Sequence, residues 1–114
     1  MIITRTPFRV SFAGGGSDIA SFYEKHDGCV LSTAINKYMY ISVHPSFDRK
    51  QTVLKYSKTE TVDNIADIEH QYFKQVLTNL GISGVELVST ADSPSGTGLG
   101  SSSSFTVGRL HTLY

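Results

Sequence analysis

Cysteine is almost missing from this sequence. Cys29 is the only one in 114 residues, which excludes an intrachain disulfide and any zinc site built from several cysteines. Net charge is missing as well: ten basic residues balance ten acidic ones. That argues against a surface that works by neutralising many phosphates, so no nucleic-acid partner is expected. No apolar run approaches the length needed to cross a bilayer. The start, Met1-Ile2-Ile3-Thr4-Arg5-Thr6-Pro7, lacks the apolar stretch of a signal peptide. The expectation is a soluble, cytoplasmic protein with no membrane partner. What is present is 39% apolar residues, enough to bury one small core and too few residues for a second.

Along the chain, residues 1–13 alternate through Ile3, Arg5, Phe8, Val10 and Phe12 as a strand does, with Pro7 implying an edge position or a bend. Gly14-Gly15-Gly16 ends that strand. Ser17 and Asp18 read as N-caps of a short helix through Ile19, Phe22 and Tyr23, and Gly28 as a left-handed turn residue. Cys29–Ile35 and Lys37–His44 read as strands, Pro45–Lys50 as a turn, Thr52–Ser57 as a further strand. Thr59–Asp67 is ambiguous. Ile68, Tyr72, Phe73, Val76, Leu77 and Leu80 fall at helical spacing, closed by Gly81. Val85, Leu87 and Ser89 begin a last strand, and Phe105, Val107, Leu110 and Leu113 mark a last helix. Mixed elements without regular βαβ alternation predict an α+β layer fold. The sequence stops at Tyr114, about three or four turns into that helix, which predicts a truncated piece.

Two stretches carry chemistry. In the first, Pro94-Ser95-Gly96-Thr97-Gly98-Leu99-Gly100 leads into Ser101-Ser102-Ser103-Ser104. Alternate glycines admit positive φ and close backbone approach. A helix N-terminus offers unpaired N–H groups to phosphate, and serine hydroxyls there can donate to phosphate or ligate magnesium. The Walker pattern needs a lysine where Ser101 stands, and the dinucleotide pattern needs G-x-G-x-x-G where this chain has G-x-G-x-G. A flexible Gly/Ser linker is the bland alternative. The second stretch runs from Pro7 to Asp18. Arg9 can pair with phosphate or depress a carboxylate, and Asp18 can accept from hydroxyls. Equally, Asp18 can merely cap its helix and Arg9 can be a surface strand residue.

Together the two stretches resemble the GHMP kinases, the superfamily of galactokinase, homoserine kinase, mevalonate kinase and phosphomevalonate kinase. Pro7-x-Arg9-Val10 with Gly14-Gly15-Gly16-Ser17-Asp18 looks like the N-terminal substrate motif. Pro94-x-x-x-Gly98-Leu99-Gly100-Ser101-Ser102 looks like the phosphate loop. The triple glycine and the run Ser101–Ser104 look closest to the D-glycero-D-manno-heptose 7-phosphate kinases. The resemblance covers the chain but only the N-terminal third or so of a typical member.

It implies the two-layer α+β N-terminal domain of those kinases, related to the second domain of a small-subunit ribosomal protein, over residues 1–114 with the C-terminal domain absent. It implies ATP and Mg2+ as cofactors and transfer of the γ-phosphoryl group to a sugar or sugar phosphate. The ATP site would comprise Pro94, Gly96, Thr97, Gly98, Leu99, Gly100, Ser101, Ser102 and Ser103, with Ser102 the magnesium ligand. Gly15, Gly16, Ser17 and Asp18 would meet the sugar, and Arg9 would sit beside the reacting centre. The family's carboxylate base lies beyond the second motif, and Asp92 cannot take that role. The chain alone is therefore expected to have negligible kinase activity, and its exposed docking face to favour self-association. His26, His44, His70 and His111 read as turn or surface residues, Tyr38, Tyr40, Tyr72 and Phe73 as core or edge residues, and Cys29 as a small packed hydrophobe.

Overall fold

The computed structural model describes residues 1–114. Strand β1 spans Ile2–Ala13, and a one-turn helix α1 spans Ala20–Tyr23. Strands β2 (Leu31–Pro45), β3 (Thr52–Lys55) and β4 (Thr59–Val62) follow, then a 3-10 turn at Ile65–Asp67. Helix α2 (Gln71–Leu80), strand β5 (Val85–Ala91) and helix α3 (Ser101–Leu113) complete the chain. The ambiguous segment thus resolves into β4 and the 3-10 turn.

One five-stranded sheet has the order β1-β2-β5-β3-β4. Only the β3–β5 pair is parallel; the others are antiparallel. Pro7 lies on the edge strand β1, where its missing N–H leaves no ladder bond unmade, and the register shifts between Pro7 and Arg9. The two strands expected over Cys29–His44 are one strand, β2, whose first half pairs with β1 alone and whose second half lies between β1 and β5.

The helices cover the face that carries Thr4, Phe8, Met39, Ile41 and Val43. Leu54 and Leu87 add the β3 and β5 rows, and α2 contributes Phe73 and Leu77, all nine-tenths or more buried. α3 crosses β1 and β2 closely because Gly108 has no side chain; a Cβ there would sit 2.8 Å from Thr6 Oγ1. Thr4 Oγ1 donates to the Gly108 carbonyl at 3.0 Å, and Thr112 Oγ1 to the same oxygen at 2.6 Å. Gly81 closes α2 in the left-handed conformation, with its own N–H and that of Ile82 capping the last turn.

Several local readings need correction. Ser17 and Asp18 do not cap α1: Ile19 stands at its start with no side-chain cap. The Ser17 hydroxyl reaches the carbonyls of Gly14 at 2.7 Å and Cys29 at 3.0 Å and accepts the Cys29 N–H, so it holds the loop shut. Gly28 does not adopt positive φ; it is needed because a Cβ would lie 2.5 Å from the Ser17 carbonyl oxygen. Cys29 is exposed rather than packed, since its strand has not yet begun.

Candidate functional site

The loop between β5 and α3 is shaped by its glycines. Gly96, Gly98 and Gly100 have φ of 80°, 72° and 73°, a region that disfavours side-chain-bearing residues. Leu99 between them packs against the core and anchors the loop. Gly100 is the residue from which α3 starts, and the Ser104 amide donates back to its carbonyl at 3.0 Å. The Ser104 hydroxyl donates to the Pro7 carbonyl at 2.9 Å, fixing the first turn of α3 to β1. The amides of Leu99 through Ser103 have no acceptor in the protein, and neither do the Ser101, Ser102 and Ser103 hydroxyls. The head of α3 is therefore a cluster of unspent donors at the positive end of a helix.

Of the expected loop residues, Ser101, Ser102 and Ser103 line a cleft of about 620 Å³, whereas Pro94, Gly96, Thr97, Gly98, Leu99 and Gly100 do not. Ser95, Ser101, Ser102 and Ser103 form its polar side. Tyr56, His70, Tyr72 and Phe105 form an aromatic part of the same lining. Such a division suits a ligand with an anionic end and a planar apolar end. His70 stands edge-on to Tyr56, with ring centroids 4.7 Å apart, and packs on Phe73 and Phe105. Burial holds its imidazole below the usual pKa, so the ring is neutral.

Arg9 is hydrogen-bonded to the loop but does not line the cleft. Its backbone N–H donates to the Leu99 carbonyl at 3.0 Å, and Nη1 donates to the Gly98 carbonyl at 3.2 Å. Asp92 is engaged elsewhere: Oδ2 accepts the Tyr38 amide at 2.9 Å, and its own N–H donates to the Tyr38 carbonyl. Thr97 Oγ1 donates to the Pro94 carbonyl at 3.2 Å, which folds the first half of the loop into a turn.

The second expected constellation forms a separate hollow of about 280 Å³. Ser17, Asp18 and Tyr23 line it together with Gly28, Cys29 and Val30. Gly15 and Gly16 are exposed and do not line it. The hollow and the cleft share no lining residue.

The residues fit a triphosphate, because free amides and hydroxyls converge where an anion would lie. For magnesium they offer a hydroxyl but no carboxylate: no group of three or more His, Cys, Asp or Glu gathers anywhere in the chain. Sequence reasoning missed the aromatic wall. His70 was expected in a turn or on the surface and Tyr72 in the core or at an edge; His70 sits in an aromatic cluster, and Tyr72 is exposed at the cleft. Arg109 also went unread. It is 2% exposed, with Nε and Nη1 lacking any acceptor.

No family model matches the chain. Among solved structures, a D-glycero-D-manno-heptose 1-phosphate kinase from Bacteroides thetaiotaomicron superposes with a TM-score of 0.84 at 20% identity, over 98% of this chain and 40% of that one. The mevalonate kinase of Methanococcus jannaschii gives a TM-score of 0.74 at 22% identity, over 98% of this chain and 39% of that one. The sheet and its helices thus share the fold of the matched regions of those kinases, of the two-layer α+β kind expected from the sequence. In sequence, the chain is 30% identical over 119 aligned positions to the D-glycero-alpha-D-manno-heptose 7-phosphate kinase of Campylobacter jejuni subsp. jejuni serotype O:2. The match takes in 94% of this chain and 35% of that protein, so the chain spans about a third of the length of the curated relative. No helix is long and apolar enough to cross a membrane.

Proposed function

We propose that this chain provides the Mg-ATP phosphate loop, and part of the acceptor site, of a cytoplasmic ATP-dependent sugar kinase whose acceptor resembles heptose 7-phosphate. One observation carries the reading. The amides of Leu99 through Ser103 are unpaired at the head of α3, and Ser101, Ser102 and Ser103 line a cleft that an aromatic cluster also lines. The β- and γ-phosphates would lie on the backbone of Gly96–Ser101 and the nearby hydroxyls, with the base against Tyr56 and His70. Bound magnesium would neutralise developing charge on the phosphate oxygens, and Ser102 would be this chain's ligand to it. The chain's own contribution is orientation and charge stabilisation by fixed dipoles. Asp18, exposed in its hollow beside the Gly15-Gly16 turn, would accept from sugar hydroxyls. The similarity to a D-glycero-alpha-D-manno-heptose 7-phosphate kinase supports a heptose phosphate as acceptor.

A second reading has its own support: no carboxylate lines the cleft, and Asp92 is spent on Tyr38. On that reading the chain binds nucleotide by itself without turning it over, since a missing general base alone costs about 10²–10⁴-fold in rate. Calorimetry with Mg-ATP, followed by a turnover assay with a sugar phosphate, separates the two. Binding that Ser102→Ala weakens without lowering the melting temperature supports the nucleotide site. Absence of any Mg-ATP binding removes it, and turnover at rates usual for kinases removes the binding-only reading.

A further inference from the structure

We infer that Arg9 is the positioning residue of the glycine-serine loop, turning the Leu99 and Gly100 amides toward the nucleotide's phosphates by holding the carbonyls of the same peptide units. The inference rests on the nucleotide reading above and assigns Arg9 a task other than touching the reacting groups.

The geometry follows from the planarity of the peptide. All peptide bonds are trans, and in a trans unit the N–H points opposite to its C=O. Arg9 Nη1 holds the Gly98 oxygen, so the Leu99 N–H of that unit points away from β1. Arg9 N holds the Leu99 oxygen, so the Gly100 N–H points away as well. Neither amide has an acceptor in the protein. Positive φ at Gly98 and Gly100, on either side of Leu99, lets neighbouring amides converge into an anion-binding concavity.

Two further features single out Arg9. On the edge strand β1, Arg9 lies two residues beyond Pro7 and faces the same way, so its N–H points away from β2 and meets a partner outside the β1–β2 ladder. A Cβ on Gly100 would stand 3.2 Å from Arg9 Cγ and Nε, whereas Gly96 and Gly98 meet nothing within 4 Å. The Arg9 side chain thus lies against Gly100, the one glycine of the three at which a Cβ would have to displace a neighbour in addition to straining φ.

The test measures affinity for Mg-ATP and for inorganic triphosphate by calorimetry at two salt concentrations. The unmodified 114-residue chain is compared with Arg9→Lys and Arg9→Met. A positioning role predicts about tenfold weaker binding in both variants, the scale of one charge-assisted hydrogen bond. Arg9→Lys keeps the cation, so its salt dependence stays as it was. Melting temperatures should change little, while the amide resonances of Leu99 and Gly100 move in the unliganded variants. Direct contact with phosphate predicts the opposite: Arg9→Lys binds nearly normally, and Arg9→Met flattens the salt dependence. That result overturns the inference. A measurement that needs no variant covers the case in which neither folds. The Arg9 guanidinium nitrogen resonances should hardly respond to triphosphate, and a large shift sinks the proposal. If the unmodified chain binds no Mg-ATP, the proposed function and this inference fall together. If it binds and both variants bind as well, this inference alone falls.

Discussion

The Tyr56 hydroxyl donates to Glu60 Oε1 at 2.5 Å at the edge of the cleft, and Oε2 of the same carboxylate accepts the Glu69 amide at 2.7 Å. One carboxylate therefore joins the β3–β4 hairpin to the segment that enters α2. Burial pushes the Glu60 carboxyl up, but the Tyr56 hydroxyl and the Glu69 and His70 amides outweigh it, so the net shift is downward. The same bond, followed by burial and the nearby acidic charges, pushes the Tyr56 phenol up to about 12. A phenol whose folded pKa lies above its ordinary 10.0 stabilises the fold fully below pH 10, and that contribution disappears as pH rises through about 12. An ultraviolet titration should show one late-titrating tyrosine, missing in Tyr56→Phe. That variant should lose about 1 kcal/mol at neutral pH, one partly exposed hydrogen bond to a charged group. A tyrosine spectrum with no late component would refute the assignment.

His70 gives the acid limb its shape. Burial depresses the imidazole pKa and Arg109 adds to it, against the opposing effects of its own backbone and Glu60. A base with a folded pKa below its ordinary 6.5 contributes stability above that value and loses it as pH falls further. The melting temperature should therefore drop on acidification from pH 6.5 downward, before the carboxylates respond. Below 4.5 the protonation of Glu60 takes over, because its pKa is lowered. His70→Phe should flatten the first limb and leave the second. Identical acid limbs in the two proteins would show that the fold leaves the His70 pKa unshifted.

The loop glycines should not respond alike to alanine. At Gly98 a Cβ meets open space, so Gly98→Ala costs only the strain of positive φ, about 1–2 kcal/mol. At Gly14 a Cβ would lie 1.8 Å from the Cys29 carbonyl oxygen, with φ also positive. Gly14→Ala must break the turn that the Ser17 hydroxyl holds shut, at about 3 kcal/mol or more. Urea denaturation of both variants tests the ranking. Equal losses would mean that the contact between Gly14 and Cys29 gives way freely.

Where sequence and structure agree, the signal is local. The alternation of β1 and the helical spacing that Gly81 ends both sit within a few residues, and so does the glycine run before Ser101. The pairing of Arg9 with Gly98 and Leu99 bridges two motifs that were legible separately, though not the hydrogen bonds between them. The aromatic wall was not legible. Tyr56 follows β3, His70 precedes α2 and Phe105 lies on α3, so only the parallel β3–β5 pairing and the packing of α2 on α3 bring them together. The unity of β2 was hidden for a related reason. Leu31 to Ala34 are exposed and pair only with β1, so burial does not mark them as part of a central strand.

Arg109 yields the sharpest stability prediction. Its guanidinium lies 5.1 Å from the Phe105 ring centroid, 5.8 Å from Phe73 and 5.9 Å from Tyr72. Those rings return part of the cost of burying a cation, on the order of 1–2 kcal/mol. Desolvation still dominates, and it holds the Arg109 pKa below the usual guanidinium range. With Nε and Nη1 buried and unpaired, the larger penalty stays uncompensated. Methionine matches the stem, keeps the contact with the aromatic rings and removes the orphaned donors. Arg109→Met should therefore stabilise the 114-residue chain by about 1 kcal/mol in urea denaturation, whereas Arg109→Ala should destabilise it by opening a cavity. A clear loss of stability in Arg109→Met would mean that the guanidinium finds an acceptor in solution, from water or from a second copy of the chain. Repeating the measurement across protein concentrations tells those two sources apart, because only the second depends on concentration.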